Sequence, residues 1–443
     1  MGAGRHEADF FIRNTVNASL GPNTPTEFDP GAYTQLDKTL NIDISKGFDV
    51  GFASDLNVAG GFEWRNEEFE ITVGDPASFE IGPLAGQGFS AASNGFAGFS
   101  NLAGGEWDRT NIAFYADLEA NITEAWLVGL ALRWEDFNDF GTTTNGKIAT
   151  NFAFTDNISV RGSYSTGFRA PTPGQSNAFN VSTEFDSVTN DLVNNGFVPP
   201  TNPASVLKGG QQLEPEESVN WTAGIILQLG EVSVTVDYFN IELTDRIAPS
   251  QNFTLTEEEV QLLIDSGVTS AGNLAAFRFF TNDFDTTTSG FDVVATWGTS
   301  MLGGNTDFSL AYNNTETEVD SFSPEIVEET RIKELEEGLP ETRWNVSATH
   351  NMDAWRFMIR ASYYDEFFDS EDDLTYGDEY IVDAEVAYTF NEKYTVTVGA
   401  QNLLDEFPDE NPGAASGVGN QYSQFSPSGF GGGFYYLRLN LDF

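Results

Sequence analysis

Tyr435-Tyr436-Leu437-Arg438-Leu439-Asn440-Leu441-Asp442-Phe443 closes the sequence, and its reading decides the fold. Side chains along a strand alternate with a period of two. Tyr435, Leu437, Leu439, Leu441 and Phe443 therefore share one face, and Tyr436, Arg438, Asn440 and Asp442 the other. An apolar face ending in an aromatic, backed by a charged face, suits a strand between lipid and water. A soluble β-sandwich can end in the same way. Repetition along the chain separates the two.

The pattern repeats. Ile112, Phe114, Ala116 and Leu118 share a face against Tyr115, Asp117 and Glu119. Trp126, Val128, Leu130, Leu132 and Trp134 stand against Arg133 and Glu135, and Trp355, Phe357, Ile359, Ala361 and Tyr363 against Arg356 and Arg360. Segments 219–229, 291–297, 380–390 and 394–400 obey the same rule. A helical period of 3.6 would scatter these apolar residues around a cylinder. Counting the runs predicts about 16 strands. They fall near 10–17, 33–47, 55–73, 110–121, 126–137, 146–155, 158–167, 217–229, 231–244, 289–300, 304–316, 341–351, 354–365, 377–390, 393–402 and 434–443.

Connections alternate too. Short turns at 123–125, 156–157, 230, 303–304, 352–353 and 391–393 interleave with long loops near 74–109, 168–216, 245–288, 317–340 and 403–433. That is the plan of an antiparallel transmembrane β-barrel, with short periplasmic turns and long extracellular loops. Trp126 and Trp134 span roughly 20 Å of membrane normal, and Tyr380 and Phe390 roughly 25 Å, as two aromatic girdles would. A sandwich core would instead gather its aromatics at mid-strand.

Composition narrows the function. The chain has 443 residues, 20 Lys plus Arg and 68 Asp plus Glu, for a formal charge of −48. Such a surface argues against nucleic-acid binding and suits cation attraction or a salty habitat. No Cys is present, which removes disulfides, thiolate metal sites and cysteine catalysis. The two histidines, His6 and His350, lie in neither a GxSxG nor an HExxH context. Glu216 and Glu217 resemble a carboxylate dyad only in being adjacent, and no enzymatic activity is expected. No run of 18 apolar residues exists, as a membrane helix would need. Met1–His6 lacks the apolar core of a signal peptide, which leaves a cytosolic protein or a chain that starts partway through a longer product. No Pro-rich linker or composition break divides residues 1–443, so a single domain is expected.

At Gly167-Phe168-Arg169-Ala170-Pro171 the sequence resembles the GFRAP segment of TonB-dependent outer-membrane receptors. Leu213-Glu214-Pro215-Glu216-Glu217-Ser218 resembles the entry to their next strand. Asn402, Leu403, Asp405 and Pro408 match the NLFDxxP segment that precedes their last strand. The resemblance covers roughly residues 110–443, with motif order and spacing intact. It implies an outer-membrane receptor of a Gram-negative cell that takes up a scarce nutrient, such as an iron–siderophore, cobalamin or an oligosaccharide. It also implies a TonB energy-coupling partner and a terminal aromatic, Phe443, read by the barrel-assembly machinery. Receptors of this kind carry a plugged barrel of about 22 strands. The TonB box, the plug and the first strands are therefore expected upstream of Met1. Arg438 departs from the Gly often found at that place in the assembly signal.

Other features carry expectations of their own. Arg133, Arg161, Arg356, Arg360 and Arg438 should face the lumen, either as a basic track for an anionic siderophore or paired with lumen acids such as Asp117, Glu119, Glu135, Asp383 and Glu385, or with a plug. Asp369, Glu371, Asp372 and Asp373 offer oxygen ligands for loop-bound Ca²⁺ without EF-hand spacing. No other cofactor is expected. The loop 82–107, with Phe89, Phe96 and Phe99 among glycines, reads as a mobile substrate lid or a disordered surface loop. Thr256 and Glu259 form a capping box for a short loop helix that ends at Gly267. A self-contained porin and a soluble β-rich binding protein are the alternatives to the receptor.

Overall fold

The computed structural model describes residues 1–186, 191–269, 271–370, 373–413 and 421–441. Asp442 and Phe443 lie outside the described residues. Sixteen strands form one sheet in which each pairs with its neighbour in sequence order. They are β1 (Gly2–Arg13), β2 (Glu27–Phe48), β3 (Leu56–Val73), β4 (Gly105–Thr123), β5 (Trp126–Phe137), β6 (Gly141–Thr155), β7 (Ile158–Arg169) and β8 (Glu216–Leu229). There follow β9 (Val232–Pro249), β10 (Phe280–Met301), β11 (Gly304–Ser321), β12 (Thr342–Met352), β13 (Trp355–Tyr364), β14 (Glu379–Phe390), β15 (Tyr394–Gln401) and β16 (Phe434–Leu441). All fifteen pairings are antiparallel. Among the described residues none joins β1 to β16.

Register carries the face rule from strand to strand, because paired residues share a face. Trp134 pairs with Phe114, Tyr164 with Trp221, Val346 with Ala361 and Leu437 with Val398. The apolar face is the exposed one: Leu437 is 74% and Ile359 53% accessible. Aromatics band this face at two heights. Tyr238 packs against Trp221 and Phe291 at 5.0 and 4.9 Å near one end. Trp297–Phe308 at 5.1 Å and Trp355–Tyr388 at 4.6 Å pack near the other. An outward apolar band between aromatic girdles is the surface a bilayer wets.

The first strand differs from expectation. It was predicted at 10–17 but runs Gly2–Arg13. Its charged residues blur the alternation, and Asn14, at φ 58°, ends it in the left-handed region that Asn tolerates. The hairpin of β9 and β10 is longer than predicted, with Pro249 opposite Phe280. These strand ends rise beyond the lipid band, where alternation no longer follows the apolar rule.

The main buried cluster is not in the strand centres. It sits at the outer end, where the long loops pack on β2 and β3. Phe99, Leu263, Phe277 and Phe279 are fully buried there, with Ile71 and Val198. Phe99 and Phe96 pack against Phe10 of β1, with ring centroids 6.0 and 4.5 Å away. The loop 82–107 is therefore anchored through Phe96 and Phe99, which corrects its reading as a mobile lid or a disordered loop; Phe89 stays exposed. Two of the loops also share a four-stranded sheet in the order 253–254, 274–278, 191–197, 180–186. The expected loop helix is present as α1 (Glu257–Asp265), with both halves of the capping box made. A second, α2 (Glu329–Glu337), lies in the acidic loop that follows β11.

Candidate functional site

Three groups of residues face inward or gather at the outer mouth. The first is a ladder of ion pairs on the inner face. Arg133 lies beside Glu135 and 3.3 Å from Glu63, and Arg161 Nε donates to Asp237 at 2.7 Å. Arg356 reaches Glu385 at 2.8 Å, Arg360 Nε donates to Asp383 at 2.9 Å, and Arg438 lies 3.3 Å from Glu385. All five arginines thus have a wall carboxylate beside them. Their positive charge is matched locally, as is usual in a water-facing barrel interior.

The second group holds the motif residues. Arg169 and Glu216 are opposite each other in the β7–β8 register, and Arg169 Nη2 donates to Glu216 Oε1 at 2.8 Å. The same buried Glu216 oxygen accepts the Ile247 N–H at 2.7 Å. Glu217 points to the opposite face of the strand, so the two glutamates do not converge. The Pro171 carbonyl accepts from Arg109, which is buried and pairs with Glu67. Phe168 packs edge-on to Phe137 at 5.6 Å, between Gly167 and the start of the outer loop at Ala170. The later motif builds a turn. Asn402 and Asp405 adopt φ of 50° and 58°. Asn402 Oδ1 accepts the Glu406 N–H at 3.0 Å, Asp405 Oδ1 accepts the Gly433 N–H at 2.7 Å, and Pro408 is buried behind them. Leu403 N–H donates to Val382 O at 2.6 Å, and its own carbonyl accepts from Tyr435 at 3.2 Å. Both motifs brace strand ends at the outer rim.

The third is a cavity of about 450 Å³ between the inner face of β1–β3 and the loop layer. His6, Ala8, Tyr33, Gln35 and Phe69 line it from the wall, and Asn180, Phe197, Arg278 and Phe280 from the loops. Of these only His6 stands out in the sequence, as one of its two histidines. A single basic residue in Phe277-Arg278-Phe279-Phe280, within so acidic a chain, was the signal that could have found it. The other histidine, His350, is remote from it, on the apolar face against Thr306 and Phe357.

The loop layer above the cavity is held by Glu259 of α1. Lys208 Nζ lies 2.9 Å from Glu259 Oε1, and the Thr256 N–H donates to Oε2 at 2.7 Å. Burial works against the charge on Glu259, but the bonds from Lys208 and Thr256 outweigh it and hold the carboxyl below the usual range. Of the acidic loop proposed for Ca²⁺, Glu371 and Asp372 lie outside the described residues. Asp369 is buried and accepts from Ser423 Oγ at 2.6 Å. Among the described residues no cluster of three or more acids or histidines forms a metal site.

Comparison with known proteins agrees with this architecture. Residues 3–403 match the family model described as "TonB dependent receptor-like, beta-barrel". A stretch of 113 residues is 26% identical to the vitamin B12 transporter BtuB of Vibrio cholerae, covering 26% of this chain and 14% of that protein. Among solved structures, the ferric enterobactin receptor PfeA of Pseudomonas aeruginosa superposes with a TM-score of 0.63 at 15% identity, covering 99% of this chain and 58% of that one. The siderophore receptor PirA of Acinetobacter baumannii gives 0.62 at 15% identity, covering 100% and 59%. The chain thus spans somewhat more than half the length of those two structures.

Proposed function

The chain belongs to the TonB-dependent receptor-like β-barrel family, and on that premise we propose that it is the barrel of an outer-membrane receptor that imports a scarce small nutrient. The observation that carries this reading is the pairing of a lipid-facing wall with a roofed cavity at its outer end. The wall is apolar outside and charged inside; the loops converge on a shared core and leave a ligand-sized space beneath. Pockets of about 300–1,000 Å³ hold small molecules. A passive porin gains nothing from loops that cement themselves over the mouth. Members of the family act as receptors and transporters, and no reaction is assigned here.

The nutrient classes we consider are an iron–siderophore complex, cobalamin and an oligosaccharide. Import would draw on a TonB energy-coupling complex, and the terminal stretch 435–443 would be presented to the barrel-assembly machinery. The lumen arginines would serve the wall by pairing with its acids, and the two rim motifs by fixing the loops. The test is expression of the chain behind an export signal in a Gram-negative host. It should fractionate with the outer membrane and migrate faster on a cold detergent gel than after boiling. A monodisperse monomer in detergent-free buffer would overturn the assignment.

A further inference from the structure

Among the described residues the roofed cavity differs in chemistry from the clefts along the wall. The chain holds 68 Asp plus Glu, yet among the described residues no carboxylate is in the cavity lining. Its fixed positive charge is Arg278, which sits over the Phe197 ring at 5.7 Å from the centroid. Each lumen arginine described above has a carboxylate neighbour; among the described residues Arg278 has none within ion-pair distance. A guanidinium held on an aromatic face keeps its N–H fork free for a planar anion. Tyr33, Phe69, Phe197 and Phe280 supply flat apolar surface around it.

We propose that this cavity binds an aromatic or polycyclic monoanion, such as an aromatic carboxylate or a ligand arm of that kind. The carboxylate meets Arg278, and the ring lies among the four aromatic side chains. A neutral oligosaccharide leaves Arg278 unanswered. The proposal rests on the receptor reading above, because the roof faces outward only when the wall is in the membrane.

Binding of 3-hydroxy-2-naphthoate and of its neutral carboxamide to the full chain in lipid nanodiscs, followed by ligand fluorescence, tests it. The carboxylate should bind more tightly than the amide. Arg278→Gln should weaken the carboxylate about tenfold or more and leave the amide unchanged. Arg278→Lys should keep the preference for the anion in part. Arg161→Gln, in the wall ladder, should change neither. Equal binding of carboxylate by wild type and Arg278→Gln, or an equal loss in Arg161→Gln, overturns the assignment. If the wild type inserts but binds neither probe, this inference falls and the receptor reading stands. If the chain does not enter the membrane, both fall.

Discussion

Glu259 carries more of the outer layer than its position suggests. It completes the cap of α1 and receives Lys208 from a different segment of the loops, so one carboxylate joins two stretches of chain over the cavity. Its partners outweigh burial and depress its pKa, which sets the sign of the pH effect. A group whose folded pKa is depressed contributes stability above its unfolded value, near 4.3, and that contribution is lost as pH falls through the folded value. Acidification from neutral to below about pH 4 should therefore loosen the roof before the wall. Amide exchange in 253–268 should rise on that descent, and Glu259→Gln should start loose and lose the dependence on pH. A roof whose exchange is the same in both proteins at every pH would contradict this. The cap was legible in sequence because Thr256 and Glu259 are local. Lys208 was not, because nothing in its own neighbourhood points to a residue 51 positions away.

At the scale of strands, the inner face uses a repeated joint. Tyr115 of β4 lies across Gly61 of β3 and reaches Asp43 of β2. Tyr436 of β16 crosses Gly399 of β15 to Glu385 of β14, and Arg161 of β7 crosses Gly224 of β8 to Asp237 of β9. A Cβ on Gly61 would come within 2.6 Å of the Tyr115 ring, so the glycine is what lets the side chain lie flat and tie three strands together. In the outermost pair this joint links the edge strand to the sheet beyond its direct partner. Gly399→Val should cost about 1 kcal/mol or more by displacing Tyr436 from Glu385. Because Tyr436→Phe removes the same link, the double variant should cost clearly less than the two singles added, read as melting of the detergent-solubilised barrel. Strict additivity would mean that the glycine and the tyrosine act independently. Parity in the sequence puts Tyr436 and Arg438 on one face, the face that this joint uses. It could not find the joint, because a link that skips a strand needs the register, and register is absent from any single strand.

For the whole molecule, the division between legible and hidden follows the solvent. Where lipid meets one face and water the other, alternation records the fold directly, and the wall of sixteen strands agrees with the count of alternating runs. Where both faces are covered, as at 245–249 and 280–288, the period fades and the strands were read as loop. The roof was hidden for a related reason: its core is made by residues far apart in sequence, as where Ser100 Oγ donates to Gly267 O at 2.7 Å. Arg278 belongs to that hidden part, while the five wall arginines belong to the legible one. The account therefore stands or falls on the wall being a bilayer surface. The absence of cysteine makes this directly measurable, since single cysteines can be introduced one at a time without background. Spin labels placed at each position of β13, Trp355–Tyr364, in lipid nanodiscs should alternate strictly. Positions 355, 357, 359, 361 and 363 should be accessible to oxygen, and 356, 358, 360, 362 and 364 to a water-soluble relaxant. Accessibility to the water-soluble relaxant at both sets, with no period of two, would contradict the membrane barrel.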